Sequence, residues 1–233
     1  MSQSKVPGSI DVLRAGPLST VQDLGRSGTR HLGVAQGGAL DSLALEVGNR
    51  LVGNRPDAAA VEITFGPAAF RFARATRIAI TGTEFGATLD DRAVHSWWSL
   101  PVEAGQTLTL PVAKRGMRGY LCVAGGVDVL PILGSRSTDL ASRFGGLGGR
   151  ALRDGDRLPV GVAPVGAGCL SPGAPEFAVK APAGARSRAS TSRRAASGPR
   201  MRRGRCRCGY CPAPITHRSP RIRSRRSGMR NGS

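Results

Sequence analysis

Between Ile10 and Val160 the apolar residues come in short runs of period two, and most of these runs stop at Gly, Pro, Asn or Asp. A chain broken this often cannot build long helices. It also lacks the regular alternation of strand and helix from which a doubly wound parallel sheet is made. The pattern predicts strands at Ile10–Arg14, Val61–Phe65, Phe70–Ala73, Ile78–Thr81, Ala87–Asp90, Thr107–Val112, Tyr120–Ala124 and Arg157–Val160. Asp90-Asp91 and Asp154-Gly155 read as turns. One segment has helical spacing: Asp41 is placed to cap a helix over Ser42–Leu51. Leu43, Ala44, Val47 and Leu51 would share its apolar face, with Glu46, Asn49 and Arg50 elsewhere. Gly53-Asn54 suits its end. The predicted fold class is mainly β, a barrel or sandwich, with one clear helix.

The net charge of +19 would ordinarily suggest a nucleic-acid or membrane-surface partner. Its distribution argues otherwise. Sixteen Lys and Arg and no Asp or Glu lie between Lys180 and Ser233, which leaves only +3 on the first 179 residues. The same segment has almost no Val, Leu or Phe, so it is predicted to be disordered. Tyr210 is its one aromatic residue, and no folded reader module is present, so no specific nucleic-acid binding is expected. Cys206, Cys208, Cys211 and His217 are irregularly spaced and have no apolar flanks, which argues against zinc. No metal site is expected. No apolar run is long enough to span a bilayer, and the polar Met1–Pro7 does not resemble a signal peptide. Cys122 reads as a core thiol, Cys169 stands alone, and the cytoplasm is the default compartment.

Chemistry-bearing residues concentrate in Ser19–Arg26, which leads into His31-Leu32-Gly33-Val34 and Gly38–Asp41. These groups are expected on short glycine-punctuated loops that a small ligand can approach closely. Asp23 can act as a base or hydrogen-bond acceptor, Arg26 can hold a carboxylate or phosphate, and Gln22 and Thr20 can orient an amide. The alternative is that Asp23 and Arg26, three apart, satisfy each other and the turn. His31 reads as a hydrogen-bonded structural histidine, and His95, beside Trp97-Trp98, as part of a strand surface or interface. A second cluster, Gly134–Thr138, adds Ser135, Arg136 and Ser137, and the run Phe144–Arg150 is rich in glycine. With Arg136 or Arg150 its turns, Gly148 included, can form an anion-binding concavity, or can close tightly with no ligand. No P-loop is present.

The stretches Gly16–Arg26, Arg30–Val34, Gly38–Asp41, Leu51–Asn54, Glu62–Pro67, Gly125-Gly126, Leu133–Thr138 and Gly145–Arg150 together resemble the carboxyltransferase-domain family. That family includes allophanate hydrolase subunit 2, and its bacterial members are described as the C subunit of a 5-oxoprolinase complex. The resemblance covers residues 8–165. It implies a cyclophilin-like β-barrel architecture, here incomplete, and a homologous subunit-1 type partner, with a third hydrolase subunit in some complexes. The implied activity is ATP-dependent opening of 5-oxoproline to glutamate. The alternatives are a urea carboxylase-like carboxyltransferase fed by biotin on a partner chain, and a non-catalytic antagonist of a kinase inhibitor. These chemistries bind a small amide or lactam and stabilise charge on its carbonyl oxygen. Asp23, Arg26, Gln22 and Arg136 are the catalytic candidates, and Thr20, Ser135, Ser137, Gly148 and Arg150 the substrate- or anion-binding ones. Family members carry a further half of strands where this chain has its arginine-rich segment. That composition is what GC-rich codons give out of frame, so a frameshift near Lys180 is expected, and a chain probed alone is expected to be inactive. A genuine basic tail is the competing expectation.

Overall fold

A computed structural model of the chain describes residues 8–163 and 176–179. The expectations for the basic segment, for Cys169 and for the Cys206–His217 cluster fall outside these residues. The strands are β1 (Gly8–Arg14), β2 (Leu18–Gln22), β3 (Ala60–Thr64), β4 (Ala68–Phe72), β5 (Thr76–Glu84), β6 (Thr88–Leu89), β7 (Arg92–Ala93), β8 (Trp98–Val102), β9 (Thr107–Leu110), β10 (Arg115–Val123), β11 (Arg157–Val160) and β12 (Phe177–Ala178). The one α-helix among the described residues, α1, spans Ser42–Leu51. The strands form two six-stranded sheets, in the orders β11-β1-β4-β9-β6-β7 and β12-β8-β5-β10-β3-β2. Every pairing between these strands is antiparallel. The mainly β class with one helix is therefore as expected. The barrel-type architecture takes the form of two stacked sheets that do not close among the described residues.

Alternation along the strands decides what each face buries. Ile10 and Val12 of β1, with Phe70 and Phe72 of β4, meet Ile78 and Ile80 of β5, Val61 and Ile63 of β3, and Leu121 and Val123 of β10 in one apolar core between the sheets. The other face of the second sheet is covered by α1 and carries the intervening residues Ala60, Ala79, Tyr120 and Cys122. A sheet buried on both faces explains why β3 and most of β5 are nearly continuous buried runs. Among the described residues no helix is long and apolar enough to cross a membrane.

The boundaries of α1 match the sequence expectation, and Asp41 accepts a hydrogen bond from the Ala44 amide at 3.0 Å. Its buried face matches in Ala44 and Leu51, with Val47 partly buried on the same cluster, and departs at Leu43. Ala44, Leu45, Gly48, Asn49 and Leu51 face the sheet, while Leu43 is 67% exposed. Two contacts rotate the helix. The amide of Asn49 donates to the carbonyls of Pro56 and Ala58 at 3.2 and 2.7 Å, which satisfies a buried polar side chain. Gly48 lies so close to the sheet that a Cβ there would sit 2.6 Å from Cys122 Sγ and 2.8 Å from Thr81 Oγ1. Burial pushes the Cys122 thiol pKa up and keeps it neutral.

Gly48→Ala should therefore destabilise the protein by about 1–3 kcal/mol through overpacking, although Ala gains about 1 kcal/mol in helix propensity. Adding Cys122→Ala should restore part of that loss. Urea denaturation of the single and double variants reads both effects.

Candidate functional site

β2 is the edge strand of the second sheet, and the first difference from the sequence reading is here. Thr20 and Gln22 lie on this strand, not on a loop. Its register pairs Thr20 with Glu62, so the two share the sheet face that α1 covers. The free edge of β2 is taken by a later segment. The Thr138 amide donates to the Val21 carbonyl at 2.9 Å, and the Leu152 amide to that of Ser19 at 2.8 Å. Gln22 Nε2 donates to Thr20 Oγ1 at 3.0 Å and to the Thr138 carbonyl at 3.2 Å, while its Oε1 is buried without a partner among the described residues.

Asp23 follows β2 directly and is buried. Its Oδ1 accepts from Ser135 Oγ at 2.6 Å, Ser137 Oγ at 2.5 Å and the Gly25 amide at 2.8 Å. Its Oδ2 accepts from the Arg136 amide at 2.6 Å, and the Asp23 amide donates to Ser137 Oγ at 3.0 Å. Three donors thus converge on Oδ1 and one on Oδ2, which satisfies the buried carboxylate. The turn that presents Ser135 is closed by two hydrogen bonds between Ile132 and Ser135, with Leu133 and Gly134 both at positive φ.

Arg26 does not pair with Asp23. Its Nη2 donates to the Ser137 carbonyl, and its guanidinium carbon lies 4.5 Å from the centre of the Phe144 ring. The residue is 1% exposed, and Nε and Nη1 have no hydrogen-bond partner among the described residues. Gly145 permits this packing. A Cβ there would stand 2.1 Å from the Ser137 carbonyl oxygen and 2.5 Å from Arg26 Nη2.

The other candidates lie apart from this network. The Arg136 guanidinium turns away, to Asp128 at 2.9 Å and the Val129 carbonyl at 2.9 Å, and only its backbone amide reaches Asp23. Arg150 makes a two-pronged contact with Asp156, at 2.7 and 2.8 Å. Hydrogen bonding from Arg150 holds the Asp156 carboxyl below the usual carboxylate range. Gly148 is exposed, with open space around it. His31 is exposed on a short 3-10 turn, Arg30–Leu32, and the His95 ring lies 5.7 Å from that of Trp98. Among the described residues no group of three His, Cys, Asp or Glu is arranged to hold a metal.

A further cluster was not anticipated. Glu62 Oε2 accepts from Tyr120 Oη at 2.8 Å and from the Leu40 amide at 2.9 Å, and Glu62 Oε1 from Arg118 at 3.1 Å. Tyr120 Oη in turn accepts from the Asp41 amide at 2.8 Å. Burial, first, and the neighbouring Glu62 charge push the phenol pKa up. Arg118, Asp41 and Leu40 line an open cleft of about 980 Å³ with Trp97 and Lys114. The available signal was an acid at the centre of the apolar run Ala60–Thr64.

The profile of the carboxyltransferase domain, subdomains A and B, matches residues 32–203. The chain belongs to the carboxyltransferase-domain family. It is 52% identical to the 5-oxoprolinase C subunit of Escherichia coli over 152 residues, which is 65% of this chain and 49% of that protein. With the 5-oxoprolinase C subunit of Haemophilus influenzae it shares 40% over 166 residues, 67% of this chain and 54% of that one. The solved structure of Kluyveromyces lactis urea carboxylase superposes with a TM-score of 0.64 at 36% identity, covering 68% of this chain and 14% of that chain. The chain thus spans about half the length of the two bacterial relatives. Its two-sheet fold is shared with a carboxylase whose chain is much longer.

Asp23→Ala would leave two hydroxyls and two amides without their acceptor and should cost about 2–4 kcal/mol. Ser135→Ala and Ser137→Ala should couple to it non-additively in double-mutant cycles followed by urea denaturation. Asp156→Asn tests the Arg150 pair. The folded-state pKa is depressed, so the pair stabilises above the unfolded value of 3.8 and is lost as pH falls through the lower folded value. The variant should be less stable at about pH 7, by about 1 kcal/mol, and the difference should shrink as pH falls below the unfolded value.

Proposed function

We propose that this chain is a subunit of an ATP-dependent amide-opening complex of the 5-oxoprolinase type, converting 5-oxoproline to glutamate with a subunit-1 type partner and a third hydrolase subunit. The observation that carries this reading is the similarity to the C subunit of E. coli 5-oxoprolinase, 52% against 36% for the Saccharomyces cerevisiae urea amidolyase. The likeness to K. lactis urea carboxylase supports the second reading, carboxyl transfer from biotin borne on a partner chain.

Opening a lactam places negative charge on the carbonyl oxygen while the ring must stay fixed, so the chemistry needs fixed donors and a rigid frame. The Asp23–Ser135–Ser137 network suits the frame. In this reading Asp23 is a positioning residue that holds the Ser135–Ser137 turn, and Arg26 supplies a cation that meets the same turn at the Ser137 carbonyl. The Arg136 and Arg150 guanidinium groups are committed to Asp128 and Asp156. In this reading another chain of the complex binds ATP, and the complex works in the cytoplasm.

The test is co-purification of the full chain with a subunit-1 homologue and a third hydrolase subunit from the same organism, followed by assay of glutamate released from 5-oxoproline with and without ATP. ATP-dependent glutamate release is expected, and Ser135→Ala should lower it by up to about 100-fold. Urea-dependent ADP release with a biotinylated partner, in place of glutamate release, would favour the carboxyltransferase reading.

A further inference from the structure

The geometry points to Arg26 as the receptor for the carboxylate of a small acidic substrate, reached by displacement of the loop Gly33–Gly38. This rests on the reading above and deepens it: 5-oxoproline carries a carboxylate beside its lactam, whereas urea carries none.

A buried guanidinium without a counter-charge is costly, because its desolvation is not offset by attraction to an anion. Arg26 is in that state. It is 1% exposed, has no carboxylate of the described residues within ion-pair distance, and keeps Nε and Nη1 without an acceptor among them. The Phe144 ring faces it at 4.5 Å, and the Ser137 carbonyl accepts from Nη2. These contacts fix the plane of the guanidinium and leave donors on both its flanks. The other arginines near the candidate loops, Arg136 and Arg150, have found carboxylates within the chain. An anion from outside completes Arg26 in the same way, and charge-assisted hydrogen bonds supply the affinity.

One short loop separates it from solvent. The Gly33–Gly38 loop covers the Nη1 side, where a Cβ on Gly37 would stand 3.3 Å from Nη1. Most of this loop is exposed. Its middle is held by the Arg26 amide, which donates to the Gln36 carbonyl at 2.7 Å, and by a long contact of 3.5 Å from Thr29 Oγ1 to the Val34 carbonyl. Its ends are held by the Gly33 amide on the Arg30 carbonyl at 3.0 Å and the Ala39 amide on the Asp23 carbonyl at 2.8 Å, with Gly38 packed on the Leu24–Gly25 backbone. Gly33, Gly37 and Gly38 all have positive φ, so each end of the loop can change conformation without a side-chain clash.

The experiment compares 5-oxoproline with 5-oxoprolinamide, the same lactam without the charge, by calorimetry on the full chain in complex with its partner. The wild type should prefer the acid by about 10- to 100-fold, and Arg26→Gln should bring the two to near equality by weakening only the acid. Arg26→Lys, which keeps a cation in the pocket, should retain part of the preference. Formate provides a readout that needs no variant. At constant ionic strength it should raise the Tm of the wild-type chain alone. Equal affinity for acid and amide in the wild type, or an undiminished preference in Arg26→Gln, overturns the assignment. So does a formate response that disappears on complex formation, since a partner side chain would then be the occupant. Glutamate release with a KM for 5-oxoproline untouched by Arg26→Gln overturns it too, while leaving the 5-oxoprolinase reading intact. A retained preference for the acid without ATP-dependent glutamate release does the reverse.

Discussion

The carboxylate of Asp23 ties together parts of the chain that lie 112 to 114 residues apart in sequence. On one side is the end of an edge strand, and on the other a turn that has no apolar core of its own. Edge strands present unpaired backbone groups that must be covered or blunted. Here the covering segment is fixed at one point by a carboxylate and alongside by the ladder from Thr138 and Leu152. The position of Ser135 and Ser137, and of the carbonyl that meets Arg26, depends on that attachment.

The second sheet imposes a complementary constraint. It is buried on both faces, so its outward residues must suit a helix instead of water. Ala79, Thr81 and Cys122 are small, and Gly48 lets the helix axis approach them. Polar groups on that face must be satisfied internally. Thr81 Oγ1 donates to the Ala44 carbonyl at 2.7 Å, and Glu62, Tyr120 and the Leu40 and Asp41 amides complete one another. The helix start and the strand that carries Glu62 are thereby held by hydrogen bonds as well as by packing. The cleft lined by Leu40, Asp41 and Arg118 inherits their rigidity.

Features with local causes were legible in the sequence. The Asp41 cap, the left-handed Gly53 after α1 and the Asp90-Asp91 hairpin each follow from a few adjacent residues, and each is present. Features with distant causes were not. Asn49 reads as solvent-facing until the carbonyls of Pro56 and Ala58 are seen to receive its amide, and Leu43 reads as buried for the same reason. β2 was hidden because Ser19, Thr20 and Gln22 look like loop residues; their strand conformation is enforced by β3 on one side and the Thr138 segment on the other. β8 was not predicted as a strand because Pro101 interrupts it, although Trp97-Trp98 read as part of a strand surface. At the candidate site, residue types were readable and partnerships were not.

Arginine shows why partnership decides chemistry. Arg26, Arg136 and Arg150 are equivalent on paper: each stands beside glycine or serine in a turn-rich stretch, and each suits an anion. Within the fold, Asp156 lies six residues beyond Arg150, and Asp128 eight before Arg136, so those two cations are neutralised by carboxylates of their own loops. Arg26 has an acid just as near in sequence, in Asp23, but that carboxylate is turned to Ser135, Ser137 and the Gly25 and Arg136 amides, and the two residues form no ion pair. The attachment that builds the site is thus the one that withholds a counter-ion from Arg26. A protein that lined this region only for stability would gain by letting the two residues pair, since a buried lone cation opposes folding. Keeping them apart makes physical sense where the positive charge has an acceptor that arrives from outside the chain.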